Sequence, residues 1–257
     1  VLADAFSPRA ATLRGTLGAV PEALSETARA ERAEALAAIN NLCEEALDLT
    51  FNGLALGQEP PAYDGRCPFR GLQPFHLEDR EFFFGREPVV EQLVIKLAAH
   101  NFLAVLGSSG CGKSSLVLAG LVPALQAEEP DLRMAYLTPG DDPLARLQTS
   151  LAQTQSNATL LVVDQFEETF TLCADETKRQ VFLERLLAIS EETRVVITMR
   201  ADFWGECAPY RALKERMQAR QELIAPMDAA ELRRAIEMQG NQVGQRFEAD
   251  LVHTILD

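Results

Sequence analysis

The sequence predicts an α/β fold in which a parallel sheet is covered by helices on both faces and is preceded by a small helical segment. Three observations support this prediction. From residue 72 onward, short apolar runs alternate with longer amphipathic segments, as strands and helices do in such folds. The apolar runs contain few polar residues, which is typical of strands buried on both faces. A Gly- and Pro-rich stretch separates this pattern from the first 50 residues.

The first 50 residues are rich in Ala, Leu and Glu, with apolar residues at helical spacing. They predict two helices, broken near Pro21. No His precedes Asp48, so no Cys/His or Ser/His catalytic arrangement can be assembled there, and we interpret the segment as a packing or linking element. Residues 51–71 predict a linker, because their glycines and prolines sustain neither a helix nor a central strand.

The α/β core is predicted over residues 72–226, and a C-terminal helical region is predicted to begin at residue 227 and to continue to residue 257. Strands and helices alternate along the predicted core. In chain order they are a helix at 88–100, a strand at 102–106, a helix at 113–125, a strand at 132–137, a helix at 144–151, a strand at 160–163, a helix at 176–189, a strand at 194–199 and a strand at 223–225.

The composition excludes several classes of protein. A net charge of −14 provides no broad basic face, so we expect no direct binding of nucleic acid. The five cysteines lie far apart without a C-x-x-C pair, which indicates reduced thiols and neither a zinc site nor a complete disulfide framework. No apolar stretch approaches the roughly 20 residues of a membrane helix, and the first residues lack the pattern of a signal peptide. We therefore expect a cytoplasmic protein that does not contact a membrane.

A phosphate-binding loop directly follows the first predicted strand of the core. Its residues are Gly107, Ser108, Ser109, Gly110, Cys111, Gly112, Lys113 and Ser114, followed by Ser115, and they match G-x-x-x-x-G-K-S. Backbone N–H groups of such a loop surround the β-phosphate, Lys113 reaches the β- and γ-phosphate oxygens, and the Ser114 hydroxyl ligates Mg²⁺. An ordinary Gly-rich turn would need neither the Lys nor the Ser.

The strand at 160–163 supplies the second part of the predicted site, because it ends at a carboxylate. Asp164 is predicted to hold Mg²⁺, through water. Glu167 and Glu168 follow at once, and one of them is the candidate base that orients or deprotonates the attacking water. The sequence does not decide which of the two acts. The alternative is that both merely begin a helix, where negative charge is favourable.

Two further groups of residues are candidates for contacts with the nucleotide. Thr198 and Arg200 end the fourth strand, at the edge of the sheet where open α/β folds bind ligands, and they are the predicted γ-phosphate sensor. The alternative for Arg200 is a surface salt bridge with Asp202. Upstream, Gly85 and Arg86 close an aromatic run and are predicted to flank the adenine and to contact ribose or phosphate. The alternative there is a hydrophobic plug between linker and core.

Five strings taken together resemble the bacterial novel STAND NTPases, which are signal-transduction ATPases with numerous domains. The strings are Tyr63–Phe75 with its Cys-Pro-Phe-Arg-Gly-Leu-Gln-Pro-Phe end, Phe-Phe-Phe-Gly-Arg-Glu at 82–87, the loop at 107–115, Val-Asp-Gln-Phe-Glu-Glu at 163–168, and Thr-Met-Arg-Ala-Asp-Phe at 198–203. The resemblance covers residues 63–257. The Asp-Gln-Phe-Glu-Glu and Arg-Ala-Asp-Phe strings are considerably more specific than the loop alone.

The resemblance implies a sheet in which the Thr198 strand lies between the loop strand and the Asp164 strand. It implies ATP or ADP with Mg²⁺ as cofactors, and a slow ATPase that switches between a closed ADP form and an oligomerising ATP form. It assigns phosphate and metal to Lys113 and Ser114, and the metal to Asp164. The related NACHT proteins also carry carboxylates three and four positions after the metal-binding Asp, as Glu167 and Glu168 do here.

The resemblance further implies domains on both sides of this core. Relatives continue into a winged-helix region and a repeat sensor and carry an N-terminal effector, so residues 1–50 would be the tail of an effector or linking domain. The sequence ends within a predicted helix, without the expected Gly-Leu-Pro turn, and the stretch between Leu137 and Leu160 is short. Both features predict a fragment or missing segments.

Three functions remain open at the level of sequence. The first is a regulatory ATPase switch, in which ATP drives self-association and slow hydrolysis resets it, with bacterial antiphage defence as the expected setting. The second is an interaction scaffold that ADP or ATP stabilises with negligible turnover. The third is a mechanical ATPase acting on nucleic acid, which the acidic composition opposes.

Overall fold

The computed structural model describes residue 63 and residues 65–154, 158–245, 247 and 251–256. These residues belong to Pro61–Asp257, one of the two compact units into which the chain divides. The other unit, Val1–Pro60, lies outside the described residues, and so do the predicted N-terminal helices and most of the predicted linker. The described residues of the linker, 63 and 65–71, form no helix or strand.

The described chain forms a five-stranded parallel sheet. Its strands are β1 (Phe102–Gly107), β2 (Met134–Leu137), β3 (Leu160–Val163), β4 (Arg194–Arg200) and β5 (Gln221–Ile224), and their order in the sheet is β2-β3-β4-β1-β5. The α/β prediction is confirmed. The Thr198 strand lies between the loop strand and the Asp164 strand, as the resemblance implied.

Eight helical segments accompany the strands among the described residues. They are α1 (Glu87–Ala99), the composite helix α2 (Lys113–Ser115, Leu116–Leu121 and Val122–Glu128), α3 (Pro143–Gln153), α4 (Glu168–Thr171), α5 (Glu176–Ile189), α6 (Arg211–Ala219), α7 (Ala229–Gln242) and α8 (Leu251–Leu256). Two 3₁₀ segments, Leu77–Phe82 and Ala201–Cys207, complete the described helical elements. Of these, α6 and both 3₁₀ segments were not predicted, and α4 was expected only under the alternative interpretation of Glu167 and Glu168.

Two apolar clusters cover the two faces of the sheet. One contains Ala104, Val163 and Ile197 with residues from α5 and α6, and the other contains Val105, Val162 and Val196 with residues from α1 and α2. Because side chains alternate along a strand, Tyr136, Asp164 and Thr198 fall on the second face, at the carboxyl ends of β2, β3 and β4. The first turn of α2 lies beside that edge, so four elements converge there.

Helix α2 is longer than predicted and changes its hydrogen-bond pattern. Residues Leu116–Leu121 form a π-helical turn, at the end of which the Val122 N–H donates to the carbonyl of Val117, five residues back. Pro123 comes next, and it has no N–H to donate to a carbonyl in the preceding turn. The predicted helix nevertheless keeps its position, and it extends to Glu128.

Two predicted strands begin at residues other than the observed ones, and the remaining boundaries of the predicted core differ by at most about three residues. The second strand begins at Met134, because the Leu132 N–H donates to the Glu129 carbonyl in the turn that follows α2. The fifth strand spans Gln221–Ile224, since Gln221 already pairs with β1. The short stretch between Leu137 and Leu160 is described only in part: Gln153 ends α3, Thr154 lies in a turn, and 155–157 lie outside the described residues.

Candidate nucleotide site

The loop between β1 and α2 is shaped by glycines in the left-handed region. Gly110 has φ of +75° and Gly112 has φ of +87°. Any residue with a Cβ would be strained in these conformations. A Cβ at either position would meet no atom within 4 Å, so backbone conformation and not packing requires glycine there. The first helical bond of α2 runs from the Leu116 N–H to the Gly112 carbonyl. The N–H groups of residues 113–115 therefore have no helical acceptor, which makes this end of α2 suited to an anion.

Lys113 lies inside the loop and is 9% exposed. Its Nζ donates to the Ser108 carbonyl at 2.7 Å and to the Gly107 carbonyl at 3.2 Å. Gly107 is tightly enclosed, because a Cβ there would lie 2.6 Å from Cys111 Sγ and 2.8 Å from the Ile224 carbonyl oxygen. The ammonium group thus lies within the loop, where two loop carbonyls accept its hydrogen bonds.

Asp164 is buried at the centre of a hydroxyl cluster, formed by Ser114, Thr198 and Tyr136. The Ser114 hydroxyl donates to Asp164 Oδ1 at 2.8 Å, and the Thr198 hydroxyl donates to the same oxygen. The Tyr136 hydroxyl donates to Oδ2 at 3.2 Å. Partial burial and the Asp164 carboxylate raise the pKa of Tyr136, so its phenol remains a donor at neutral pH. Side chains from three elements, α2, β4 and β2, thereby contact one carboxylate at the end of a fourth, β3.

The chain turns sharply after Asp164, and both acidic side chains bind backbone N–H groups. Gln165 adopts φ of +54°, and its N–H donates to the Thr198 hydroxyl at 3.0 Å. Glu167 then accepts from the Arg200 N–H at 3.2 Å, and Glu168 accepts from the Gly140 N–H at 2.9 Å. Glu168 also begins the short helix α4, as the alternative interpretation of the pair expected.

Arg200 forms the surface salt bridge that was the alternative to a sensor role. Its guanidinium donates to both carboxylate oxygens of Asp202, at 3.1 and 2.5 Å, and lies 5.1 Å from the centre of the Phe203 ring. The hydrogen bond from Arg200 lowers the pKa of Asp202. Both side chains are exposed, and such a pair contributes little to stability.

Gly85 and Arg86 contact the beginning of α7. Gly85 has φ of +85°, and a Cβ there would lie 2.4 Å from the Glu231 carbonyl oxygen. Arg86 is 5% exposed and donates to both carboxylate oxygens of Glu231, at 3.1 and 3.2 Å, and to the Ala225 carbonyl at 2.6 Å. The close approach of α7 therefore accounts for both residues without a nucleotide. The predicted contacts with adenine, ribose or phosphate stay predictions.

The structure adds two residues that were missed from the sequence. Tyr136 could have been found, because it is the penultimate residue of a predicted strand and side chains alternate. Arg179, on α5, donates to the Thr169 and Cys173 carbonyls at 3.0 and 2.5 Å and so holds the turn after Glu168. Nothing in the sequence around Arg179 distinguishes it from other helical arginines.

These donors fit a magnesium nucleotide. The loop offers N–H groups and an ammonium for phosphates, and Ser114 and Asp164 offer the hydroxyl and carboxylate oxygens that Mg²⁺ prefers. Within the described ranges, no three His, Cys, Asp or Glu side chains converge on a point where they would hold a metal ion. Ser114 and Asp164 are the residues that would hold a Mg²⁺ at this site.

Three solved structures illustrate which proteins have a similar fold. The ORC2 protein of Aeropyrum pernix, in ADPNP and ADP complexes, matches with a TM-score of 0.52 and 15% identity over 75% of this chain and 59% of that one. Domain III of the replication initiation protein DnaA of Thermotoga maritima matches with 0.51 and 16% identity, over 73% and 82%. A DnaA chain bound to AMPPCP and single-stranded DNA matches with 0.50 and 15% identity, over 72% and 60%. At these identities the likeness shows the fold alone.

The chain spans about 60% of the ORC2 chain and of the DnaA chain bound to AMPPCP. No curated protein matches the sequence. None of the helices in the described ranges combines the length and apolar character needed to cross a membrane.

The family comparison covers most of the chain. The model of the family described as Novel STAND NTPase 1 matches residues 68–257, which include the loop, the hydroxyl cluster and the acidic pair. The sequence resemblance, the parallel sheet and the family match agree, and the chain belongs to the novel STAND NTPases.

Proposed function

We propose that the chain is the ATP-binding and ATP-hydrolysing core of a regulatory switch. The observation that carries the proposal is the 2.8 Å hydrogen bond between Ser114 and Asp164, since it joins the phosphate loop to the carboxylate end of β3. Ser114 and Asp164 are the residues that would hold Mg²⁺. When it is bound, Mg²⁺ neutralises negative charge on the phosphates. Lys113 and the N–H groups of the loop would bind the phosphates.

Of the two acidic residues, Glu167 is our candidate for contact with the attacking water. Its carboxylate accepts from the Arg200 N–H at the end of β4, the neighbour of the strand that leads into the loop. Glu168 accepts from the Gly140 N–H beyond β2, at the edge of the sheet away from the loop. We infer that Glu167 orients or deprotonates water and that Glu168 ties α4 to the segment after β2.

The switch itself is proposed to work through self-association. ATP binding would favour an oligomer and slow hydrolysis would return the closed ADP form, with sensor and effector domains in the same full-length protein. Thr198 and Arg200 are the residues where we expect contacts to differ between the ADP and ATP states, because a ligand that binds both states equally shifts neither. Bacterial antiphage defence in the cytoplasm is the setting that the family resemblance favours.

The proposal is tested by comparing two lysine variants. Lys113→Ala should weaken binding of a fluorescent ATP analogue by at least about 100-fold, a loss of about 2.7 kcal/mol in binding free energy. Lys96→Ala should bind as the parent does, because it removes an exposed lysine of α1 that pairs with Glu222 of β5. Mass measured by light scattering should rise with a non-hydrolysable ATP analogue and not with ADP. Equal binding by the Lys113 variant would rule out the switch.

The scaffold remains a second candidate because one observation favours it. Both acidic side chains are occupied by backbone N–H groups, and Arg200 is occupied by Asp202, an arrangement compatible with little turnover. Steady release of phosphate by the parent protein, lost in Glu167→Gln, would exclude a scaffold that only binds nucleotide.

A further inference from the structure

The phenol of Tyr136 contacts the one oxygen of the Asp164 carboxylate that the phosphate-loop side of the site does not reach. Ser114 and Thr198 both donate to Oδ1, whereas Tyr136 donates to Oδ2. Tyr136 approaches from β2, the edge strand beyond β3, so the carboxylate is held from opposite sides.

The torsion that turns an aspartate carboxylate is soft. Rotation about an sp³–sp² bond has broad, roughly two-fold wells, so hydrogen bonds to a single oxygen leave the plane of the group poorly defined. A donor at Oδ2 fixes that plane. It also keeps Oδ1 directed at Ser114, whose hydroxyl lies 2.8 Å away.

The backbone of Tyr136 is held well enough to support this role. β2 pairs with β3 from Met134↔Leu160 to Leu137↔Val163, and the Ser150 hydroxyl of α3 donates to the Tyr136 carbonyl at 2.9 Å. The residue is 36% exposed, so packing alone does not call for a tyrosine there. A phenylalanine would cover the same surface without making the bond to Asp164.

We propose that Tyr136 is a positioning residue for the carboxylate that would hold Mg²⁺: its hydroxyl holds Asp164 Oδ2 so that Oδ1 faces Ser114. The inference rests on the proposed binding of a magnesium nucleotide at this site. Tyr136 contacts neither metal nor phosphate; it acts through Asp164. Loss of a polar partner behind a metal ligand typically lowers metal affinity by about 10–100-fold. Because water reaches the partly exposed phenol and can replace it, we expect about 3–10-fold here.

The test measures how strongly Mg²⁺ tightens nucleotide binding. The dissociation constant of a fluorescent, non-hydrolysable ATP analogue is measured in EDTA and in Mg²⁺, and the ratio of the two constants is the coupling factor. Tyr136→Phe should lower this factor about 3–10-fold while leaving the constant in EDTA unchanged. A purely structural role would weaken binding in both conditions and leave the factor as it was.

Tyr210→Phe is the matched control. Tyr210 also donates to a carboxylate, Glu176 Oε1 at 2.7 Å, but this pair lies beside α5, apart from the hydroxyl cluster. Its coupling factor should equal that of the parent, and thermal melting should show that both variants fold. An unchanged factor in Tyr136→Phe overturns the inference while the proposed function stands. A parent protein that binds no nucleotide, or whose binding Mg²⁺ does not tighten, overturns the proposed magnesium site itself.

Discussion

Arg86 could either contact the nucleotide, as the sequence predicts, or act as a structural clasp that ties the beginning of α1 to Ala225 and Glu231. Replacing it with methionine separates these two roles. Arg86→Met keeps an unbranched side chain and removes the guanidinium. Breaking a buried ion pair from one side costs about 3–5 kcal/mol. Glu231 keeps 27% of its side chain exposed and regains some hydration, so we expect the free energy of unfolding to fall by about 2–4 kcal/mol. At about 2–4 °C per kcal/mol for a domain of this size, the melting temperature should fall by roughly 4–16 °C.

The assay uses nucleotide-free protein and a surface control. Urea unfolding and thermal melting report the stability of the parent and of Arg86→Met in EDTA. Arg234→Met is the matched control, because Arg234 contacts Glu87 at 3.0 Å in a pair that is about half exposed on both sides. Such pairs contribute about 0–1 kcal/mol, so this variant should unfold nearly as the parent does.

One result would refute the clasp. If Arg86→Met unfolded within about 1 kcal/mol of the parent, the range expected for an exposed pair, and instead lost affinity for an ATP analogue, then Arg86 would contact ribose or phosphate, as the sequence predicts. If stability falls and the affinity of the folded variant is retained, the three hydrogen bonds to Glu231 and Ala225 are its role.

Three further predictions concern the acidic pair, the loop and a buried thiol. Glu167→Gln should slow phosphate release by about 10²–10⁴-fold and Glu168→Gln by less than about 10-fold, and the reverse order would contradict our assignment of the base. Gly112 has φ of +87°, so Gly112→Ala should lower the free energy of unfolding by about 1–2 kcal/mol and weaken binding of an ATP analogue. Gly205→Ala should do neither, because position 205 has open space for a Cβ and no positive φ. Burial raises the pKa of Cys207 to about 12. At pH 8, iodoacetamide should therefore label this thiol at least about 100-fold more slowly in the folded protein than in urea. Equal labelling rates, measured by mass spectrometry, would disprove this protection.

The elements predicted best from the sequence are those whose signal is local and strong. β1, β3 and β4 are apolar runs buried on both faces, and such runs admit few other structures. The helix at 211–219 was missed, since only Leu213 and Met217 of its nine residues are buried and they give a single apolar stripe. A short helix with so little buried surface owes its formation to tertiary packing, which sequence periodicity does not report.

The site could be predicted only where one segment supplies the chemistry. The loop at 107–114 and the strand ending at Asp164 are each readable alone, but their contact depends on the register of four elements. Gly85 shows the same limit from the other side. As a glycine it was expected to let adenine approach the backbone, whereas the atom that approaches it is the carbonyl oxygen of Glu231, 146 residues further along the chain.

The contacts around the site differ in how easily a nucleotide could change them. Thr198 is buried and its hydroxyl both donates to Asp164 and accepts from Gln165, so moving it would cost at least one charge-assisted hydrogen bond, about 1.5–3 kcal/mol. The Arg200–Asp202 pair is exposed, and an exposed ion pair contributes little to stability. A γ-phosphate could therefore recruit Arg200 with a small part of its binding energy while Thr198 stays in place. We therefore narrow the expected difference between nucleotide states from Thr198 and Arg200 together to Arg200 alone, with Thr198 orienting Asp164 in both states.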